Sequence, residues 1–289
     1  MKLIGVMLGF GAIVCWSFNS LMINWGLKDS SVFKFNAIRT IPALVLLITF
    51  MLMTGKTIFP EPRLSILAFA TGFFSYFVAL NLFISGLNKG GTHKVWPVGN
   101  TAPFWATVSA ILILDEKANT LVLLSAVLIV IGIFFLSRRG EKEADMERNM
   151  GVPLAFLAAF IWGILVVPNK YCLNQGMSPL SFLTIMIIAA FVSNNIYFLY
   201  REGFEEMIRD IKGLYWGLVS GIIALFGGGL FWQLALSVED ASRLAPLLGA
   251  ESPIVLILSV LLLGESPTYK SIFGIALVFF GVLIVTTFG

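Results

Sequence analysis

Apolar runs of roughly 17 to 24 residues recur along the whole chain. A run of about 20 predominantly apolar residues is the length that an α-helix needs to cross the hydrocarbon core of a bilayer. The runs are continuous and do not alternate with a period of two, which argues against a transmembrane β-barrel. Charged residues make up 12% of the chain, whereas soluble domains contain about 25%. The sequence therefore predicts an all-α polytopic membrane protein.

Charged residues and Gly/Pro-rich breaks divide the chain into ten predicted transmembrane helices. These spans are placed near 3–26, 35–54, 64–87, 95–114, 120–137, 151–173, 179–200, 214–237, 244–263 and 270–287. The longest predicted loop, SRRGEKEADMERN at 137–149, carries eight charges and lies at the midpoint of the chain. A second polar stretch, GFEEMIRDIKGLYW at 203–216, has apolar residues at helical spacing and predicts an amphipathic helix on the membrane surface.

The second half of the chain repeats the pattern of the first half. Pro97, Glu116 and Gly132 each have an identical residue 149 positions later. Trp16 and Trp162 stand at matching places in the first and sixth spans. The sequence thus predicts two five-helix repeats, 1–137 and 151–289, joined by a charged linker at 138–150.

An odd number of spans in each repeat has a topological consequence. The second repeat must enter the membrane from the opposite side, so the two repeats are predicted to have inverted topology. Inverted repeats with a polar site between them are typical of secondary transporters. This pattern predicts a secondary active transporter of a small organic metabolite, such as an amino acid or an amine, in the cell membrane.

Several stretches also resemble a known family. LLLGE at 261–265, SIFGIALVFFGVLIV at 271–285 and the first-half copy ILILDE at 111–116 resemble the EamA repeat of the drug/metabolite transporter superfamily. The resemblance implies that spans 1–4 and 6–9 surround a central cavity, with spans 5 and 10 at the periphery. It also implies alternating access by rocking of the two halves. Four-span relatives rely on a glutamate in their first span, and this first span has none.

Glu251 is the one acidic residue placed well inside a predicted span, in the stretch GAESPIVLIL. The corresponding stretch of the first repeat, GNTAPFWATV, has no acid. Ionisable residues within spans are costly and mark substrate paths or proton relays. Glu251 is therefore a candidate for carrying a proton or contacting a cationic substrate. A structural role, as a carboxyl group hydrogen-bonded to a neighbouring helix, remains the alternative.

Polar and aromatic residues in other spans are further candidates for the substrate site. Trp16 and Asn19 are neighbours in span 1, and Trp162 and Asn169 share a face of span 6. An indole beside amides suits a substrate with an apolar or cationic body and polar ends. The remaining candidates are Asn100, Gln233 and Asn81. For these three, hydrogen bonding between helices is the structural alternative.

Two basic residues lie near the ends of predicted spans. Lys170 and Arg39 are expected to extend their charged groups to the membrane surface, as long basic side chains do. We favour this interpretation over anion binding for both residues. The acidic residues Asp115, Glu116 and Glu265 fall at span ends and are interpreted as interfacial structure.

The composition of the chain limits the metals, cofactors and partners that are expected. With one histidine, and with both cysteines inside spans, we predict neither a metal site nor a disulfide. No cofactor or nucleic acid is expected. The expected partners are a small-molecule substrate, protons and the lipid bilayer, for a monomer or weak homodimer.

Two alternative functions and the orientation remain open. A membrane-embedded enzyme acting on a lipid-linked substrate would need clustered acid–base groups at one interface, which the sequence does not offer. A channel is disfavoured because no filter motif recurs. Of the 19 lysines and arginines, 13 fall on the side opposite the termini. The positive-inside rule therefore places the termini outside, whereas the family resemblance implies cytoplasmic termini.

Overall fold

The computed structural model describes residues 3–28, 30–90, 95, 98–117, 120–136, 150–209, 211–263 and 269–288. All regular secondary structure in these ranges is helical. The predicted linker lies outside the described residues, apart from its last position, Met150. Two residues of the predicted repeat pairs, Pro97 and Glu265, also lie outside the described residues. Their partners, Pro246 and Glu116, are described.

We label the long helical segments α1 to α10 in chain order. They are α1 (Leu3–Gly26), α2 (Val32–Thr54), α3 (Pro62–Gly86), α4 (Ala102–Leu114), α5 (Thr120–Leu136), α6 (Gly151–Asn174), α7 (Pro179–Arg201), α8 (Gly213–Val238), α9 (Ala241–Leu262) and α10 (Tyr269–Phe288).

Seven of these helices, α1 to α3 and α6 to α9, are long and apolar enough to cross a membrane. Shorter apolar stretches lie at Ala102–Leu114, Thr120–Phe135 and Ile272–Phe288. Large apolar side chains are widely exposed on the outside, among them Leu52, Leu112 and Leu261. Polar side chains such as Thr107, Thr184 and Ser220 are fully buried. This distribution fits a chain whose exterior faces lipid.

The two halves of the chain are interleaved. α1 packs against α8 and α9, and α6 packs against α3 and α4. α2 contacts α7 and α8, and α7 also contacts α3. α5 and α10 pack mainly against each other. Gly132 permits their close approach, because a Cβ atom there would meet the backbone of Gly274 and Val278.

Regular helix geometry is interrupted in four of the described spans. α6 is interrupted by a turn at Leu165. α3 contains a π-helical segment at Phe74–Ala79, and α8 contains one at Gly221–Gly228. In α9, a 3₁₀ segment at Ala245–Ala250 lies between a short α-helical turn at Ala241–Leu244 and the longer α-helical part that begins at Glu251. π turns inside α-helices are frequently found at functional sites.

Several predicted helices differ in detail from the structure. Within the predicted span 95–114, the described residues 95, 98 and 99 are helical, a turn follows at Asn100 and Thr101, and α4 begins at Ala102. Of the predicted amphipathic helix at 203–216, Glu205–Ile208 forms a four-residue helix, and residues 211–216 belong to the helix that continues into α8. Hydropathy marks where a segment becomes apolar, whereas a helix boundary depends on local turns and caps.

Candidate functional site

A cavity of about 340 Å³ lies between the helices, within the size range of small-molecule sites. Its described lining residues come from α1–α4 and α6–α9 and from the turn before α4. Aromatic rings form much of the wall, including Trp16, Tyr76, Phe83, Trp162 and Trp232. Such a wall suits the apolar body of a small ligand, with a few polar groups fixing its orientation.

Seven of the eight candidate residues predicted from the sequence line this cavity. They are Trp16, Asn19, Asn100, Trp162, Asn169, Gln233 and Glu251. Asn81 is not among the lining residues; its amide nitrogen donates to the Phe77 carbonyl oxygen at 2.6 Å, within its own helix. The structure brings the seven residues together, and their part in ligand binding remains a prediction.

Glu251 is the first residue of the α-helical part of α9, directly after the 3₁₀ segment. The change of helix type therefore falls next to the one carboxyl group among the described lining residues. The Ser20 side chain on α1 lies beside the Glu251 carboxyl group, and its hydroxyl donates to the Trp16 carbonyl oxygen at 3.4 Å. Glu251 belongs to the second half of the chain and Ser20 to the first, so this contact joins the halves beside the cavity.

Two of the three tryptophans among the described lining residues, Trp16 and Trp162, make matching hydrogen bonds. The Trp16 indole Nε1 donates to the Ala224 carbonyl oxygen at 3.2 Å, and the Trp162 Nε1 donates to the Ser75 carbonyl oxygen at 3.1 Å. Both acceptors lie in the π-helical segments. Gly228 makes room for Trp16, because a Cβ atom there would come within 2.7 Å of the indole nitrogen. Each tryptophan thus links its own half of the chain to the other half.

Amide side chains supply further polar groups around the cavity. Asn19 accepts a hydrogen bond from the Ser220 hydroxyl through Oδ1 at 2.7 Å. Asn169 Oδ1 and Gln233 Oε1 are buried, and neither has a hydrogen-bond partner among the described residues. Buried polar atoms normally have a partner, either protein or water. These two oxygens can therefore accept hydrogen bonds from a ligand or from water in the cavity.

The sequence interpretation of Arg39 is wrong. Arg39 does not reach the membrane surface; it is 7% exposed and lines the cavity. α2 begins at Val32 rather than near residue 35, so Arg39 lies about two turns inside the helix. An N-cap signal was present in the sequence at Ser31, whose hydroxyl accepts a hydrogen bond from the Lys34 backbone N–H. A helix that starts after this N-cap places Arg39 further from the end of the span.

Lys170 also departs from its expected position at the surface. It is 6% exposed, and its ammonium donates to the carbonyl oxygens of Leu236 and Glu239 at 2.7 Å each. These carbonyls lie at the carboxyl end of α8, where a cation offsets the helix dipole. Lys170 is outside the described cavity lining and has a structural role at this helix end.

Glu116 reaches across the same end of the molecule. Its carboxylate accepts hydrogen bonds from the backbone N–H groups of Ala241 at 3.0 Å and Ser242 at 2.7 Å. It therefore caps the start of α9 from the end of α4. The expectation of a structural role at a span end agrees with this contact.

In the ranges that the structure describes, no group of three His, Cys, Asp or Glu side chains could hold a metal ion. The arrangement offers a polar, aromatic-walled space between two halves of a helical membrane protein. It provides recognition groups for a small ligand.

Comparison with known proteins identifies the family. The EamA-like transporter family matches residues 3–138 and 149–287. A protein of Archaeoglobus fulgidus named as an uncharacterized transporter is 20% identical over 280 residues, which is 96% of each chain. A crystal structure with 17% sequence identity superposes with a TM-score of 0.85, covering 98% of this chain and 96% of the other, and so shares the fold. The chain is a multi-pass membrane protein that belongs to the EamA-like transporter family.

Proposed function

We propose that this protein is a secondary active transporter that moves a small polar organic solute, an amine or an amino acid, across the cell membrane. The observation that carries the proposal is the cavity, because both halves of the chain line it and Glu251 lies in its wall. A site between two halves is what alternating access requires.

The proposed topology is ten membrane crossings in two inverted five-helix repeats, 1–137 and 151–289, separated by the linker at 138–150. The two family matches, at 3–138 and 149–287, support a division near this linker. The exchanged packing of α1 and α6 also supports it, since each packs against helices of the other half. Alternating access then follows from rocking of the two halves about the cavity.

Glu251 is proposed to recognise the ammonium group of the solute or to carry a coupled proton. An ionisable group at this depth is costly unless it has a function or a partner. The Ser20 side chain beside it is neutral, so the carboxyl group is available to a cation. The neighbouring indole rings add favourable contact with a cationic ligand.

The test is uptake into proteoliposomes that contain the purified full chain and no ATP. Radiolabelled 3-methylbutylamine and L-leucine serve as probes. We expect saturable uptake and exchange of at least one probe, and a loss of at least tenfold with Glu251→Gln. Glu206→Gln, which changes an exposed acid outside the cavity, serves as the control and should retain wild-type flux.

Two results would contradict the proposal. Flux in Glu251→Gln equal to that of the wild type would remove Glu251 from the mechanism. Non-saturable leakage of both probes, or turnover of a lipid in the vesicles, would overturn the assignment as a transporter of such solutes.

A further inference from the structure

Arg39 is a buried cation with its donor groups unused. Its side chain is 7% exposed, and the buried Nε has no hydrogen-bond partner. No hydrogen bond or ion pair joins the guanidinium to another residue in the part of the chain that the structure describes. A buried charge is costly unless an opposite charge or hydrogen-bond acceptors offset it. The position therefore calls for an acceptor that the described protein groups do not supply.

The contacts that Arg39 does make leave this requirement unmet. Its guanidinium carbon lies 5.9 Å from the centroid of the Phe35 ring, on its own helix, which is about the limit for a favourable cation–π contact. The Tyr76 phenol on α3 also interacts with it electrostatically. Neither contact is a hydrogen bond to the guanidinium. The N–H donors of the guanidinium, arranged in a planar fork, remain available for a carboxylate or a phosphate, the two groups whose geometry this fork matches.

The charges around the cavity define the kind of ligand. Among the described lining residues, Arg39 and Glu251 are the ionisable groups besides the Tyr76 phenol. One cation and one carboxyl group balance a ligand that itself carries one negative and one positive group. A phosphate dianion would leave excess negative charge, and a simple amine would leave the guanidinium without an acceptor.

We propose that Arg39 forms an anionic subsite that binds the carboxylate of the transported solute, while Glu251 faces its ammonium group. The solute is then a small zwitterion with an apolar body, held between one charge from each half of the chain. The buried oxygens of Asn169 and Gln233 supply acceptors for remaining ammonium N–H groups. This inference rests on the proposed transport function and narrows its substrate class.

The experiment compares matched ligands that differ by one charged group. The set built on the leucine side chain is L-leucine, 3-methylbutylamine without the carboxylate, and 4-methylpentanoate without the amine; equivalent sets are built on alanine and phenylalanine. Binding to the purified full chain is measured by calorimetry in detergent, for the wild type, Arg39→Gln and Arg39→Lys. Lys170→Gln is the control, since it removes a buried cation outside the described cavity lining.

We expect the wild type to bind the zwitterion of at least one set more tightly than either single-charge analogue. Arg39→Gln should weaken zwitterion binding at least tenfold and leave amine binding within twofold, which also shows that the variant is folded. The zwitterion affinity of Arg39→Lys should lie between those of the wild type and Arg39→Gln, because an ammonium group keeps the positive charge and lacks the forked N–H donors. Lys170→Gln should not alter the preference for zwitterion over amine.

Three outcomes overturn the inference. Equal weakening of zwitterion and amine by Arg39→Gln would show that Arg39 acts through the fold alone. Tighter binding of the amine than of the zwitterion by the wild type would remove the anionic subsite and leave the transport proposal standing. Binding of no member of any set, together with no uptake, would overturn both proposals.

Discussion

Ser31 in the first half and Ser178 in the second half begin α2 and α7 in the same way. Each hydroxyl accepts a hydrogen bond from the backbone N–H three residues later, at 3.1 Å and 3.0 Å. Both helices contain 23 residues, so corresponding positions are 147 apart. This correspondence makes it possible to compare the halves residue by residue.

Two close approaches between the halves are also matched. Gly72 in α3 and Gly221 in α8 are 149 positions apart. Gly72 lies just before the π-helical segment of α3, and Gly221 is the first residue of the π-helical segment of α8. A Cβ atom at Gly72 would overlap the backbone of Met186 in α7, and one at Gly221 would overlap the backbone of Arg39 in α2. The acceptors of the two tryptophan hydrogen bonds, Ser75 and Ala224, are 149 apart as well.

The halves differ in the charges that these shared positions carry. Arg39 corresponds to Met186, and Glu251 corresponds to Ala102 at the offset of 149. All four residues line the cavity. The backbone contacts are therefore alike in the two halves, while each half contributes one charge that the other lacks. In the proposed transport cycle, similar halves let the molecule open to either side, and the unlike charges recognise the ligand.

The largest expected effect tests the matched backbone contacts. Gly72→Ala and Gly221→Ala each place a methyl group against a backbone that cannot move aside, and overpacking of this kind costs about 1–3 kcal/mol. Gly227→Ala is the control, because its nearest atoms would lie at 3.5 Å and 3.7 Å. Thermal unfolding in detergent should show similar losses for the first two and none for the third. A loss at one glycine only would contradict the match.

A smaller effect is expected from moving the charges. Arg39→Met with Glu251→Ala should lower the affinity for a zwitterion at least tenfold, or about 1.4 kcal/mol. Adding Met186→Arg and Ala102→Glu places both charges at the corresponding positions of the other half. We expect this quadruple variant to bind the zwitterion clearly more tightly than the double variant, with most of the lost affinity recovered, as measured by calorimetry. No recovery would show that the two sides of the cavity are not equivalent for a ligand.

The smallest effect concerns the tryptophan hydrogen bonds. Trp16→Phe and Trp162→Phe each remove one interhelical hydrogen bond and keep an aromatic ring, at a cost of about 0.6 kcal/mol. Trp105→Phe is the control, because the Trp105 Nε1 is buried without a partner among the described residues. Chemical unfolding should give equal small losses for Trp16 and Trp162. Unequal losses would show that only one of the bonds stabilises the fold.

Much of the candidate site could be predicted because polar residues in apolar spans are rare. Glu251, Asn169 and Gln233 stand out in any hydropathy pattern. A polar side chain that faced lipid would be costly, so such residues are expected to face the protein interior. The same reasoning does not distinguish Asn81, which bonds its own helix, from Asn100, which lines the cavity. Nor does it identify Tyr76 or Phe83, since aromatic residues are abundant throughout this chain.

The sequence by itself determined the helical membrane class, the repeat and most of the polar residues at the cavity, because apolar length and periodic identity are properties of the chain alone. The tertiary structure decided the positions of Arg39 and Lys170, two basic residues with the same sequence interpretation. Lys170 contacts the carboxyl end of α8, whereas Arg39 lines the cavity. Lipid and protein interior are both apolar, so only helix packing determines which face of a span meets carbonyl groups, lipid or open space.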